Sequence, residues 1–510
     1  MCERSSAGTG TGSSVHELAG HLRRELDRYS PGEKLPSSRT LVERFRVSPV
    51  TVARALAQLA AEGLVVTRPG AGAFRAAGPP PASGRAGDTS WQEVALSADA
   101  AADHVPRSVD ASGVTVSLAA PPPGVVEFNG GYLHPSLQPE RAMSAALARA
   151  GRRPGAWGRP PLEGLPELRE WFARSLGGTV TAAEVLVASG GQSALTTALR
   201  ALAPPGAPVL VESPTYPGML AIARAAGQRP VPVPVDADGV RPDLLDAAFR
   251  ATGARVLVCQ PLFQNPTGAV LAPARRAEVL RIARTAGAFV VEDDFVRRLV
   301  HDDAGPLPRP LVADDPDGVV VHVGSLTKAT SPSFRVSALA ARGPVLERLR
   351  AIQVVDTFFP PRPLQEAALE LVGSPAWPRH LRTLATELRV RRTALTAALA
   401  RHLPQLALPH VPSGGYHLWL RLPDGPGTTD GAHAAQGLGG EAAFTAAALR
   451  AGVALTPGRP YFSAEPPAPH VRLSFAAVAG TDEITEGVRR LRRAWDEVLP
   501  ESVRQRVPDL

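Results

Sequence analysis

The chain has 510 residues, 44% apolar and 20% charged, which leaves room for two or three domains with sizeable cores and excludes a single small module. Its two cysteines, Cys2 and Cys259, lie far apart without metal-type spacing, so neither a disulfide scaffold nor a zinc site is expected. No apolar run is long enough for a membrane helix and the N-terminus lacks a basic-then-apolar signal pattern, so a cytoplasmic location without a membrane partner is expected; a formal net charge of +7 permits an acidic partner such as nucleic acid.

Val15, Leu18, Ala19, Leu22 and Leu26 recur at helical spacing until Pro31-Gly32 stops them. A second helix opens at Ser37 or Ser38 and buries Leu41, Val42 and Phe45. A third opens on Ser48 as N-cap with Pro49 at the first helical position; Val52, Leu56 and Leu59 form its apolar stripe, with Thr51 and Arg54 on the other face. Leu64 to Thr67, followed by a glycine-rich stretch to Phe74, reads as a β-hairpin. Three short helices and a hairpin are the order of a winged helix-turn-helix, and between Val15 and Arg75 ten Lys/Arg face six Asp/Glu. The motifs Leu35-Pro36-Ser37-Ser38-Arg39, Val47-Ser48-Pro49-Val50-Thr51-Val52 and Glu62-Gly63-Leu64-Val65 closely resemble the GntR family of bacterial regulators. That resemblance implies double-stranded DNA as partner, met by Arg39, Ser48, Thr51 and Arg54, with Arg68 and Gly70 in the wing. Hydroxyl and guanidinium groups suit phosphates and guanine edges, and a solvated surface is the alternative for each residue taken singly.

The head is therefore expected at 13–77. Residues 78–112, rich in Pro, Gly and Ala without a sustained apolar period, read as a linker, and the rest to residue 500 as one large domain.

In that domain, Phe128 to Pro135 is a glycine-broken loop that suits the mouth of a pocket, ahead of a helix near Pro139. Short apolar strands then alternate with helices: Val185 to Ala188, Val209 to Glu212, Val256 to Cys259, Ala288 to Glu292 and Val319 to Val323. Each delivers a polar or aromatic group just beyond its end. Ser189-Gly190-Gly191-Gln192 before a helix suits an anion. Tyr216 offers a ring for stacking, Asn265 an amide, and Asp293 a carboxylate that keeps a pyridine nitrogen protonated.

The last of these loops carries Ser325, Lys328 and Arg335. Among 55 lysines and arginines only Lys34 and Lys328 are lysine, and arginine cannot form an imine. An irreplaceable amine beside Ser and Arg suits pyridoxal phosphate, held through its aldehyde by Lys328 and through its phosphate by the neighbours; a solvated loop lysine is the alternative at this point. Beyond it, Pro344 to about Arg401 is helical with breaks at Pro360-Pro361, Pro375 and Pro378, and Pro412 to Leu420 and Val471 to Phe475 read as strands of a smaller α+β lobe. His417 reads as a strand-face residue.

Together these loops resemble fold type I aminotransferases over roughly residues 120 to 500. The resemblance implies an α/β fold with a mostly parallel sheet and helices on both faces. It assigns Gly191 and Gln192 to the phosphate cradle, Tyr216 to ring stacking, Asn265 to the cofactor's phenolic oxygen, Asp293 to its pyridine nitrogen, Lys328 to the imine, Ser325 and Arg335 to further phosphate contacts, and Arg472 to a substrate carboxylate. The sequence departs from that pattern at Phe295, where a tyrosine is usual, and at Arg159 or Trp157, where a tyrosine from the dimer partner is usual; both departures argue against efficient turnover. A GntR-like head on such a domain resembles the MocR family of transcription regulators. It implies a homodimeric regulator that senses pyridoxal 5′-phosphate, or an amine or amino acid, by aldimine exchange at Lys328 and alters promoter binding. The alternative is a catalytically active aminotransferase with a fused DNA-binding head.

Overall fold

A computed structural model describes residues 10–68, 71–76, 109–423 and 434–498, which divide into two compact units, Met1–His104 and Val105–Leu510. In the first, a helix Gly10–Glu25 buries Leu18, Ala19 and Leu22, with Leu26 following in a short 3-10 turn. Ser37, not Ser38, caps the helix Ser38–Phe45, its Oγ accepting from the Thr40 N–H at 3.2 Å. Ser48 caps Pro49–Ala61 in the same way, accepting from the Thr51 N–H at 3.1 Å. Strands β1 (Val65–Arg68) and β2 (Gly72–Arg75) pair antiparallel. Leu41, Val52, Leu56, Leu59 and Val65 join one core, each fully buried leucine contributing roughly 2 kcal/mol of transfer free energy.

The second unit opens with a helix Ser112–Leu118 and the short β3 (Val126–Glu127). Its main sheet has eight strands: β4 (Val185–Ala188), β5 (Pro208–Ser213), β6 (Arg229–Asp236), β7 (Gly239–Val240), β8 (Val256–Cys259), β9 (Phe289–Asp294), β10 (Val320–Ser325) and β11 (Ser337–Ala340). They are ordered β4-β11-β10-β9-β8-β5-β6-β7. The pairs from β10 to β6 are parallel, whereas β11 runs antiparallel to both β10 and β4. Consequently β4, β5, β8, β9 and β10 all end at one edge, where an open α/β sheet presents its ligands. Alternate residues of each strand enter two cores: Val187, Leu210, Leu257 and Val290 one, Leu186, Val211, Val258 and Val291 the other. Burial on both faces is why the strands read as continuous apolar runs.

The strand β11 is a finding the sequence did not supply: Ser337-Ala338-Leu339-Ala340 is small-residue, and the chain reaches it through a turn closed by the Phe334 N–H on the Ser331 carbonyl, with Pro332 at its second position, and then through Arg335 at φ +40°. Pro378 is a second difference. It lies in the first turn of the helix Ala376–His402 and does not break it, because amides there have no intrahelical acceptor to lose. A three-stranded antiparallel sheet, β12 (His417–Arg421), β15 (His470–Ser474) and β14 (Thr456–Pro457), forms the smaller lobe, and β13 (Val453–Ala454) pairs with β3. None of the described helices is long and apolar enough to cross a membrane.

Candidate functional site

The carboxyl edge of the main sheet and the small lobe frame a pocket that is partly open to solvent. Gly191, Gln192, Tyr216, Asn265, Asp293, Ser325, Lys328, Arg335 and Arg472, though spread over nearly three hundred positions, all line it.

At one end, the helix Gly191–Leu202 begins immediately after β4, so its first amides, which have no intrahelical partner, face the cavity. Gly190 has φ +90°, and a Cβ there would lie 2.4 Å from Cζ of Arg335. Only glycine lets that guanidinium close over the turn, where it donates to the Ser189 carbonyl at 3.2 Å. Ser325 ends β10 with its Oγ accepting from the Thr327 N–H at 3.1 Å, and the buried Thr327 hydroxyl has no protein partner. Tyr216 lies across Gly218, where a Cβ would meet the phenol ring at 2.4 Å; its OH donates to Gln192 Oε1 at 3.3 Å.

Three consecutive acids at the end of β9 meet three different fates because side chains alternate along a strand. Glu292 accepts from Leu311 N–H at 2.7 Å and pairs with His322 Nδ1 at 3.0 Å. Burial pushes its carboxyl up, but His322 and those donors hold it below the ordinary range. Asp294 pairs with Arg297. Asp293, on the opposite face, enters the cavity. Burial raises it to about 6, against a hydrogen bond from Gln260 Nε2 at 2.6 Å and the attraction of Lys328.

Lys328 sits on the turn after β10. Its Nζ donates to the Gly131 carbonyl at 2.7 Å and lies 3.8 Å from the centroid of the Tyr132 ring. Burial lowers it to about 7, helped by Arg472 and Arg335 and opposed by Asp293. Near neutral pH a large share of this amine is therefore uncharged and nucleophilic, which a solvated lysine is not. On the small-lobe side, Arg472 is 2% exposed, and donates to the Asn129 carbonyl at 2.9 Å and Asn265 Oδ1 at 3.2 Å. Its Nε has no partner. A buried guanidinium with a free donor suits a planar anion.

These groups fit pyridoxal 5′-phosphate by their own chemistry. The turn at Gly190 admits an anion among unpaired amides, Thr327 and Arg472 keep unsatisfied donors, Asp293 suits a pyridinium and Lys328 an aldehyde. Sequence reasoning missed Gln260, Thr327 and Tyr416, all of which line the cavity, whereas Tyr132 belongs to the Phe128–Pro135 loop expected at a pocket mouth and lines it too. Gln260 follows β8 directly, so the rule that picked out the residues after the other strands could have found it. Tyr416 donates to the same Gly131 carbonyl as Lys328, at 2.7 Å, a contact across 285 positions that no local pattern signals. His417 is on strand β12 as read, and it also faces the cavity. Its Nε2 lies 3.4 Å from Arg472, and burial first, then Arg472 and Lys328, hold the ring neutral. Phe295 lines the cavity without a hydroxyl, while Arg159 and Trp157 are exposed on the chain.

In the N-terminal unit, Arg39 and Arg54 are exposed on successive helices, and Arg39 is within 3.4 Å of Glu43. Ser48 and Thr51 are engaged with each other, their hydroxyls 2.9 Å apart. Arg68 lies over the Phe74 ring at 4.8 Å, which fixes it at the hairpin. Gly70 lies outside the described residues.

Residues 129–491 match the family model for aminotransferase class I and II, and residues 15–74 that for bacterial regulatory proteins of the gntR family. A 2-aminoadipate transaminase of Thermus thermophilus is 32% identical over 74% of this chain and 91% of its own length. The HTH-type transcriptional regulator TauR of Rhodobacter capsulatus is 27% identical over 95% of this chain and 97% of its own. Among solved structures, the α-aminoadipate aminotransferase of Thermus thermophilus, complexed with N-(5′-phosphopyridoxyl)-L-leucine, superposes with a TM-score of 0.68 at 30% identity, covering 80% of this chain and 98% of that one. With a fold type I body that carries the residues for pyridoxal phosphate and a GntR head on the same chain, this protein belongs to the aminotransferase class I and II family, in the MocR-type branch of DNA-binding transcription regulators.

Proposed function

We propose that the protein senses pyridoxal phosphate, or an amine or amino acid that reacts with it, at Lys328, and that occupancy of the cavity changes how a homodimer presents its heads to promoter DNA. The observation that carries this reading is the Lys328 amine, buried and lowered to about 7 in a chain that also bears a DNA-binding head. When bound, pyridoxal phosphate supplies an aldehyde carbon that condenses reversibly with a primary amine and a ring that withdraws electrons. The amides of Gly191 and Gln192, with Ser325 and Arg335, would hold its phosphate; Tyr216 would lie along the ring, Asn265 at the phenolic oxygen and Asp293 at the ring nitrogen. Lys328, which donates to the Gly131 carbonyl, would be the amine that holds the aldehyde. Arg472 turns its free Nε toward an effector's carboxylate while Asn265 and the Asn129 carbonyl keep it in place. Coupling to DNA then requires only that the ligand prefer one of two dimer shapes, and a two-fold dimer suits repeated half-sites.

A second reading, a working aminotransferase with a DNA-binding head, draws support from the 32% identity to a transaminase. Phe295 speaks against it, because it cannot donate a hydrogen bond to the cofactor. The test is promoter binding by wild type and Lys328→Ala, with pyridoxal phosphate alone and with an amino-acid panel, while absorbance reports conversion to the pyridoxamine form. A response of wild type that Lys328→Ala loses, without conversion, supports the sensor. Rapid conversion with unchanged DNA affinity supports the enzyme. A full response to pyridoxal phosphate alone makes the cofactor itself the signal.

A further inference from the structure

Asp293 faces a conflict. Its use to a pyridinium depends on negative charge, and its burial opposes that charge. Asp294 on its own strand, His322 and Lys328 on β10 and the turn after it, Cys259 on β8, and Glu212 and Tyr216 from β5 and its loop are the titratable groups that act on it or feel it. The direct hydrogen-bond partner of its Oδ2 is Gln260, a residue that none of the loop motifs singled out.

The orientation of the Gln260 amide is fixed by its surroundings. The Asn265 N–H, 2.9 Å from Oε1, needs an acceptor, so the oxygen faces Asn265 and the NH2 faces Asp293 Oδ2 at 2.6 Å. Gln260's own N–H donates to Glu212 Oε2 at 3.0 Å, and Glu212 also accepts from Gln264 Nε2 at 3.2 Å. One side chain thus spans the carboxylate at the ring nitrogen and the loop that carries Asn265, while its main chain is moored on β5. We propose that Gln260 is a positioning residue: it holds Asp293 as the ionised partner of the cofactor's ring nitrogen and ties that carboxylate to the Asn265 loop. A glutamine suits this task because its NH2 stays a donor at every working pH, so Asp293 must present an acceptor oxygen. Burial raises Glu212 to about 8, so near neutrality its carboxyl is mostly protonated and adds little negative charge beside Asp293.

This inference rests on the reading that the cavity holds pyridoxal phosphate. Wild type, Gln260→Met, Gln260→Glu and Lys328→Ala, each loaded with pyridoxal phosphate, are titrated with pH while the bound cofactor's absorption band is followed and its dissociation constant measured. Gln260→Met keeps length and removes both hydrogen bonds. Its midpoint is expected about one pH unit lower than wild type, because a less fully ionised Asp293 holds the cofactor's proton less well, with affinity down about tenfold. Gln260→Glu keeps the shape and sets a second carboxyl against Asp293, so its midpoint is displaced as well, which preserves the test if Gln260→Met fails to fold. Weaker binding in a folded variant with the wild-type midpoint overturns the inference and leaves Gln260 merely structural. A wild-type protein with no band that depends on Lys328 overturns the functional reading and this inference with it.

Discussion

Lys328 owes its reactivity to where the chain places it. Burial and the two arginines Arg472 and Arg335 disfavour its charged form, and Asp293 opposes them. Because the ammonium is disfavoured, its loss of a proton moves down to about 7, and the neutral fraction rises with pH through that value and saturates above it. The rate at which added pyridoxal phosphate forms its absorbing adduct with the cofactor-free protein is therefore expected to climb from pH 6 and level off near pH 8. A rate still rising tenfold per unit between pH 8 and pH 10 would mean an ordinary lysine. Lysine was legible at this position because arginine replaces it almost everywhere else. Its depressed basicity was not, since that depends on Arg472, 144 positions away.

At the scale of elements, the helix Pro49–Ala61 separates two roles that the sequence had merged. Ser48 and Thr51 resemble DNA contacts in the family motif, yet in the folded head the Ser48 Oγ caps the helix and meets the Thr51 hydroxyl. Arg54 is exposed and free of any such duty. Ser48→Ala is thus expected to destabilise the head by about 1 kcal/mol in denaturant unfolding. Arg54→Ala should leave that stability unchanged, weaken operator binding by about 1–3 kcal/mol and alter its salt dependence in titrations at two ionic strengths. Equal loss of stability in both variants would contradict this division. The strand ends behave comparably: β4, β5, β8, β9 and β10 were readable as apolar runs, but β11, inserted antiparallel between β4 and β10, is a run of only four mostly small residues and had to be seen.

For the whole molecule, coupling between cavity and DNA must be reciprocal if both act on one equilibrium. Operator DNA should change the affinity for the effective ligand by the same factor, about 5–150-fold, by which the ligand changes affinity for DNA. Calorimetric titration of the loaded protein with and without operator measures this. A ligand that alters DNA binding while DNA leaves its own affinity untouched would exclude a shared equilibrium.

Sequence alone determined the two-part architecture, the chemistry of each loop at the carboxyl edge and the cofactor those loops suit, because strands, caps and glycine turns are written in residues a few positions apart. Tertiary structure decided what passes between loops: Gln260 on Asp293, Lys328 and Tyr416 sharing the Gly131 carbonyl, and Arg472 held by Asn129 and Asn265 with one nitrogen to spare. Hydrogen bonds and charge effects across a pocket depend on distance in space, and only folding brings residues hundreds of positions apart to within 3 Å.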